Sequence, residues 1–272
     1  DVASVIVERP HIFLLVRPDG STNIPSPKIR TARTKTVPEQ IVDLAIRHFE
    51  LRQGWIAYQE QQWPLDLRGE NLNADIRYDV LTTRYLGTLS SRQLHIKSGI
   101  SLPAAADLET RFIFEKDRLN FEQLTLASSH SHLNITGSLD HFTHPELSLD
   151  MRGSLDAAEV GKLFKLPQIS AGDFVLAGQG HYRNHLYDFA GSISGRHFAY
   201  HSGNFQIENV SLQSDVQVSP TGVQFQKLMA NAAGSRITGK AELSRFTHFK
   251  MDGRIDGLAI RNGARFFTDR PL

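Results

Sequence analysis

The chain has 272 residues, 30 Lys and Arg against 29 Asp and Glu, and 40% hydrophobic residues, enough apolar material for a core and too much for a disordered chain. The charges are interspersed and nearly balanced, so the basic footprint of a nucleic-acid binder is missing. Cysteine is absent, which removes disulfides, thiolate catalysis and Cys-type zinc sites, and no apolar run reaches membrane-spanning length.

From the N-terminus, Val2 to Val16 alternates as a strand does, with a break at Pro10, and Arg17-Pro18-Asp19-Gly20 is a turn. Residues 21–35 carry Pro25, Pro27, Lys28, Arg30, Arg33 and Lys35 without periodicity and read as a solvated loop. The spacing then predicts an amphipathic helix over 37–51. Thr36 and Glu39 form a capping box, Pro38 sits in the first turn, Gly54 stands past the end, and Ile41, Leu44, Ala45 and Phe49 make the apolar stripe. Residues 1–53 are therefore set apart from 54–272. From Gly54 onward the pattern is β: Trp55–Tyr58, Leu72–Val80, Tyr85–Ile100 and Phe112–Phe114, then Phe174–Gly178, His181–Gly191, Phe198–Tyr200, Phe205–Ile207 and Val210–Val218. Turn signals between these segments have the rhythm of one antiparallel sheet, with the helix at its N-terminal end.

Within that sheet one block occurs twice. Residues 119–164 hold Phe121, Leu124, Ile135-Thr136-Gly137, Phe142-Thr143-His144 and Met151-Arg152-Gly153-Ser154-Leu155-Asp156. Residues 223–267 hold Phe225, Leu228, Ile237-Thr238-Gly239, Phe246-Thr247-His248 and Met251-Asp252-Gly253-Arg254-Ile255-Asp256, a period of about 100 residues. Gly137 and Gly153 read as strand ends. Each copy closes on a helical signal: Asp156 as N-cap with Glu159 three residues on and Val160, Leu163 and Phe164 as the stripe, and a weaker counterpart from Asp256 to Phe267. Helices this short cannot cover a long sheet. Alternation places Phe112, Phe114, Leu133, Ile135, Leu147, Leu149 and Met151 on one sheet face, with Phe225, Ile237 and Met251 as their second-copy equivalents, while Ser148, Asp150 and Arg152 face away.

Residues able to carry chemistry do not assemble into a motif. His130 and His132, and His141 and His144, lack third and fourth ligands at a matching spacing, and zinc requires them. His181, His185, His197 and His201 are scattered along strands. Asp140, Asp150 and Asp156 fall at turns or on the polar face, and Gly178-Gln179-Gly180 lacks the helix of a phosphate loop. No nucleophile, base and orienting group come together, so no enzyme and no cofactor are expected.

Three stretches carry a family resemblance by their order and spacing: Val5-Ile6-Val7-Glu8-Arg9-Pro10 through Pro18-Asp19-Gly20-Ser21-Thr22-Asn23, Gly54-Trp55-Ile56-Ala57-Tyr58 to Trp63-Pro64-Leu65, and Ile135-Thr136-Gly137 to Leu155-Asp156. Over nearly its whole length the chain resembles the AsmA-like and TamB (translocation and assembly module) families of bridge-like lipid-transfer proteins. The resemblance implies a mainly β fold, a long and strongly bent antiparallel sheet forming a half-open, repeating β-groove with a few short helices. It also implies a periplasmic segment of a longer protein anchored in the inner membrane, carrying phospholipid acyl chains between the membranes in outer-membrane biogenesis. The residues placed on the apolar face would line the groove, and an outer-membrane β-barrel assembly protein is a further partner the resemblance implies. The families' N-terminal anchor is not in this chain. Alternation alone fits a closed β-sandwich equally well, and a module that captures client strands at an open sheet edge is the competing function.

Overall fold

The computed structural model describes residues 3–19, 21, 23, 46–61, 65–98, 104–142, 144–163, 167–184, 186–203, 205–245 and 248–257. Among them lie fifteen strands and one helix: β1 (Val5–Glu8), β2 (His11–Val16), β3 (His48–Glu60), β4 (Leu65–Asp79), β5 (Arg84–Ser98), β6 (Ala104–Phe114), β7 (Arg118–Ala127), β8 (His132–Asp140), β9 (Glu146–Asp156), α1 (Ala157–Leu163), β10 (Ile169–Arg183), β11 (Leu186–Ser202), β12 (Phe205–Ser219), β13 (Gly222–Ala232), β14 (Ser235–Ser244) and β15 (His248–Asp256). They make one open sheet in the order β1, β3, β4 and onward to β15, with β2 also on β3. β1 and β2 run parallel to β3 along successive parts of it. The pairings from β3 to β7 and from β9 to β15 are antiparallel. The chain divides into two compact units, residues 1–129 with 134–146, and residues 130–133 with 147–272.

Strand pairing is interrupted at mid-length by bulges. In the first unit the register shifts at Leu51/Gly54 in β3, Glu70/Asn73 in β4 and Ser91/Leu94 in β5, and Glu122 is the extra residue of β7. In the second unit it shifts at Gly195/Phe198 in β11, beside Val210 in β12 and at Phe225/Leu228 in β13. Six of these seven bulges contain a non-glycine residue at positive φ: Gln53, Asn71, Gln93, His197, Asn209 and Lys227. Two of these bulge residues have their N–H satisfied locally: the Gln53 N–H donates to Asn73 Oδ1 and the Gln93 N–H to Asp107 Oδ1, each at 3.0 Å. On the apolar side, Ser91 and Ser214 are only 1% and 2% exposed. Each hydroxyl donates to the carbonyl of a bulged residue on the next strand, Glu70 at 3.1 Å and Gln226 at 2.8 Å, so burial of these serines is compensated. A bulge bends its strand and raises its twist, and here one recurs in strand after strand of each unit.

Among the described residues, neither unit carries a second layer of its own over its sheet face. Among the described residues, half of the buried hydrophobic ones are alanines, and a cluster of buried apolar side chains is formed by Leu51, Leu72 and Ala74, flanked by the partly buried Ile12, Phe49, Ile56, Ile76 and Leu89. A β-sandwich would bury whole inner faces, so that alternative is set aside. The helix α1 is too short to act as a layer.

Several sequence expectations need correction. The helix predicted over 37–51 gives way to β3 from His48 onward, where Phe49 and Leu51 pair with Ile76 and Ala74; its remainder, residues 37–45, lies outside the described residues. The boundary at residue 53 falls inside β3. Gly137 and Gly153 are interior to β8 and β9 instead of ending them. His181 to Gly191 is a hairpin turning at Asn184, while Phe198–Tyr200 and Phe205–Ile207 belong to long strands that run on through bulges. The second helical signal, 256–267, is described only to Gly257. The basic loop residues Lys28, Arg30, Arg33 and Lys35 are likewise outside the described residues.

Candidate functional site

Each unit has one apolar sheet face. In the first, the register stacks Val5 and Val7 on Phe49 and Leu51, these on Ile76 and Ala74, and these on Gly87 and Leu89. Gly87 faces Phe112, and Tyr85 faces Phe114. Phe112 and Phe114 then sit opposite Phe121 and Leu119. Four rings form a ladder at one end: Tyr78 to Tyr85 at 5.0 Å, Tyr85 to Phe114 at 6.5 Å and Phe114 to Phe142 at 5.8 Å between centroids. Tyr85 is buried and its hydroxyl accepts the Ile46 N–H, at 3.0 Å; burial pushes its pKa up from the ordinary value. Thr125 donates to Asn134 Oδ1 on the polar side at 3.0 Å, which turns Ile135 to the apolar side, where it is 9% exposed.

In the second unit Leu147, Leu149 and Met151 alternate in burial with exposed Ser148, Asp150 and Arg152. They pair with Tyr182, Gly180 and Gly178 of β10, and Leu155 with Phe174. Leu133 lies on the same side, 2.9 Å from where a Gly153 Cβ would stand. The face continues through Ile193, Phe189, Val216 and Phe225 to Ala241 and Ile237, and ends on Met251 and Ile255 of the last strand. Thus Phe225 and Ile237 are half-buried on this face, whereas Met251 is on an edge strand and 41% exposed. Within each unit, then, the ten residues named from the sequence fall on its apolar face.

Glycines shape that face. A Cβ on Gly87 would run into the Phe112 ring, one on Gly195 into Phe198, and one on Gly178 into Phe189, 2.5 Å from Cζ. The rings lie down over neighbouring glycines, and Phe174 and Phe198 stack at 5.4 Å and 9°. Aromatic side chains covering glycine backbone is a known way to protect it, and here it makes the apolar surface low and smooth. Gly178-Gln179-Gly180 therefore has a packing reason, and Gln179 itself faces away, its Nε2 donating to Asp150 Oδ1 at 3.0 Å.

The polar faces carry ion pairs and shallow clefts. In the first unit one cleft of about 470 Å³ is lined by Glu50, Arg52, Asp75, Ser90, Glu109 and Arg111 among others, and another of about 520 Å³ by Trp55, Asp66, Arg68, Glu70, His95 and Lys97. Arg52 binds both oxygens of Glu50, at 2.7 and 2.8 Å, which holds the Glu50 carboxyl below its ordinary pKa. The His48 ring at 3.1 Å, aided by Arg77, does the same for Asp75. Glu50 with Arg52 and Asp75 with Arg77 are pairs two residues apart on one strand, and His48 reaches Asp75 from β3 to β4.

Several of the histidines and carboxylates named from the sequence have separate partners. Asp156 caps α1, its Oδ1 accepting the Glu159 N–H at 2.7 Å as the sequence predicts. Ser131 accepts the Asp156 N–H at 3.0 Å and donates to Glu159 at 2.5 Å, with His130 Nδ1 3.2 Å from the same carboxylate. Asp140 pairs with Arg118 at 3.1 Å, His181 with Asp188 at 3.1 Å, and His201 contacts Ser170 at 3.1 Å. His141 meets Asp117 at 2.9 Å, which raises its pKa. Among the described residues, no three His, Asp or Glu side chains converge as metal ligands do.

What the strand-by-strand reading missed is the bulge row, though its signal is in the sequence. Two polar residues in succession between face residues recur in Leu51-Arg52-Gln53-Gly54, Gly69-Glu70-Asn71-Leu72, Ser91-Arg92-Gln93-Leu94, Phe121-Glu122-Gln123-Leu124, Gly195-Arg196-His197-Phe198, Ile207-Glu208-Asn209-Val210 and Phe225-Gln226-Lys227-Leu228. The extra residue returns the chain to the same face, and so identifies the bulge. No family model, curated protein or solved structure matches the chain.

Proposed function

We propose that this chain is a segment of a lipid-transfer conduit whose apolar sheet faces carry phospholipid acyl chains, as the resemblance to the AsmA-like and TamB families implies. The observation that supports it is an apolar face in each unit, many strands long, over which no second layer of that unit lies among the described residues. Acyl chains gain about 0.8 kcal/mol per buried methylene and need no directed polar contacts. Flat phenylalanines over glycine suit such a ligand, because they leave no deep, shape-selective pocket. Phe112 and Phe114 in one unit, and Leu147, Leu149 and Met151 in the other, touch the chains; no residue performs chemistry. The setting is the periplasm, in a parent protein held at the inner membrane, with an outer-membrane β-barrel assembly protein as a further partner.

Mass spectrometry of lipid extracted from the purified chain tests the reading. Phospholipid in stoichiometric amounts, lost in Leu149→Asp while the variant stays folded, is the expected result. A folded, lipid-free chain that takes up no fluorescent phospholipid from vesicles would refute it.

A further inference from the structure

The two edges of the sheet are treated differently. At the β1/β2 edge the strand is broken by Arg9, at a φ of 50°, and Pro10. Beyond the break Asn23 plugs the edge of β2: its Oδ1 accepts the Leu15 N–H at 2.8 Å, its Nδ2 donates to the Phe13 carbonyl at 2.8 Å, and its N–H donates to the Leu15 carbonyl at 3.2 Å. Kinks and plugs of this kind block strand addition. β15 has neither. It contains no proline, its register with β14 is unbroken, and all nine of its residues are exposed. Phe249 and Ile255 on its apolar side are 66% and 55% exposed.

The order of residues along β15 is self-complementary. Lys250, Asp252, Arg254 and Asp256 share the polar side, and Phe249, Met251, Gly253 and Ile255 the apolar side. Turned antiparallel about Gly253, the strand places Lys250 opposite Asp256, Asp252 opposite Arg254, and Met251 opposite Ile255. Gly253 meets Gly253 on the axis, where the absence of side chains lets backbones approach. All four charges then face an opposite charge, and the two apolar sides lie on one surface. Cross-strand pairs of these types are favourable and like charges directly opposite are not. We infer that β15 is the interface with a second copy of this chain, which adds by antiparallel pairing across a two-fold axis through Gly253. Such a contact is isologous and closes on itself, and the plugged opposite edge prevents growth into a filament. The inference does not depend on what the apolar faces carry.

Complementary charge reversals test it on the full 272-residue chain. Arg254→Asp sets aspartate opposite Asp252 twice across the axis, and Asp252→Arg sets arginine opposite Arg254 twice. Each variant alone is expected to raise the concentration of half-association about tenfold. Mixed in equal amounts, the two variants form a heterodimer in which both positions are again paired, and association returns to the wild-type range. Analytical ultracentrifugation reads this as a particle of twice the 30.5 kDa chain mass. Damage to a protomer cannot be repaired by mixing, so the rescue separates pairing from misfolding. Asp252→Arg also loses Lys240, 3.7 Å away on β14; if that variant unfolds, the doubly swapped chain Asp252→Arg with Arg254→Asp is expected to dimerise instead. A wild-type chain that stays monomeric at several hundred micromolar would overturn the inference, whether its edge is free or occupied by some other strand. So would a dimer that neither reversal weakens.

Discussion

Replacing Leu149 by aspartate distinguishes an uncovered sheet face from a core, and a second site in the same protein supplies the scale. Full burial of a leucine side chain is worth about 2 kcal/mol, and Leu149 is half-buried, opposite the side-chain-free Gly180. Its removal therefore loses about 1 kcal/mol. The new carboxylate can turn to water on the open side, so desolvation adds little, and the total is about 1–2 kcal/mol, a fall in Tm of roughly 2–8 °C for a chain of this size. Ile135, 9% exposed, has no such exit. There the lost apolar contact of about 2–4 kcal/mol is joined by an unpaired buried carboxylate, and about 5 kcal/mol or more is enough to unfold most domains. Thermal unfolding followed by circular dichroism, with lipid content measured on the same samples, makes the comparison. Leu149→Asp is expected to stay folded and lose lipid, and Ile135→Asp to unfold. Equal destabilisation by the two would show that Leu149 is covered by protein in solution, and the open-face argument would fall.

The glycines give a related contrast. The three atoms nearest a Cβ on Gly87 all belong to the ring of Phe112, which can lift off an uncovered face, whereas one on Gly191 is driven into the Ala177 carbonyl and stands 2.7 Å from Gly178 Cα, both backbone. Gly87→Val should therefore cost about 1–2 kcal/mol and Gly191→Val about 3 kcal/mol or more in urea unfolding, and a reversed order would contradict the flat-ring geometry. At the bulge, Gln93 holds φ at 55°, so Gln93→Gly should stabilise by about 0.5 kcal/mol while Gln93→Val destabilises by about 1–2 kcal/mol. For His141 the pairing with Asp117, helped by Glu146 and Asp140, raises the folded pKa. Its contribution to stability is thus fully present below about pH 6.5 and is lost as pH rises through the raised value. An NMR titration should show the elevation, and Asp117→Asn should return His141 towards the ordinary histidine range.

Much of the fold is legible in single strands. Alternation in Leu147-Ser148-Leu149-Asp150-Met151-Arg152 is enough to assign faces, because a strand has only two and a mistake by one residue would bury charge. The repeat is legible too: Ile135-Thr136-Gly137 and Ile237-Thr238-Gly239 fall in β8 and β14, and Met151 and Met251 in β9 and β15. Local chemistry also fixes the cap of α1 by Asp156. The helix expected over 37–51 fails at His48 because tertiary pairing overrides a local pattern: Phe49 and Leu51 suit a helical stripe, but in β3 they join the buried cluster with Leu72 and Ala74. The strands split at Arg196-His197 and Glu208-Asn209 fail for another reason, since only a neighbouring strand in register turns two successive polar residues from a loop into a bulge. The choice between an open face and a closed sandwich belongs wholly to the tertiary structure. Period-two alternation says which side of a strand is apolar, but nothing about what lies against it; that depends on how far the sheet runs on and whether another layer returns over it.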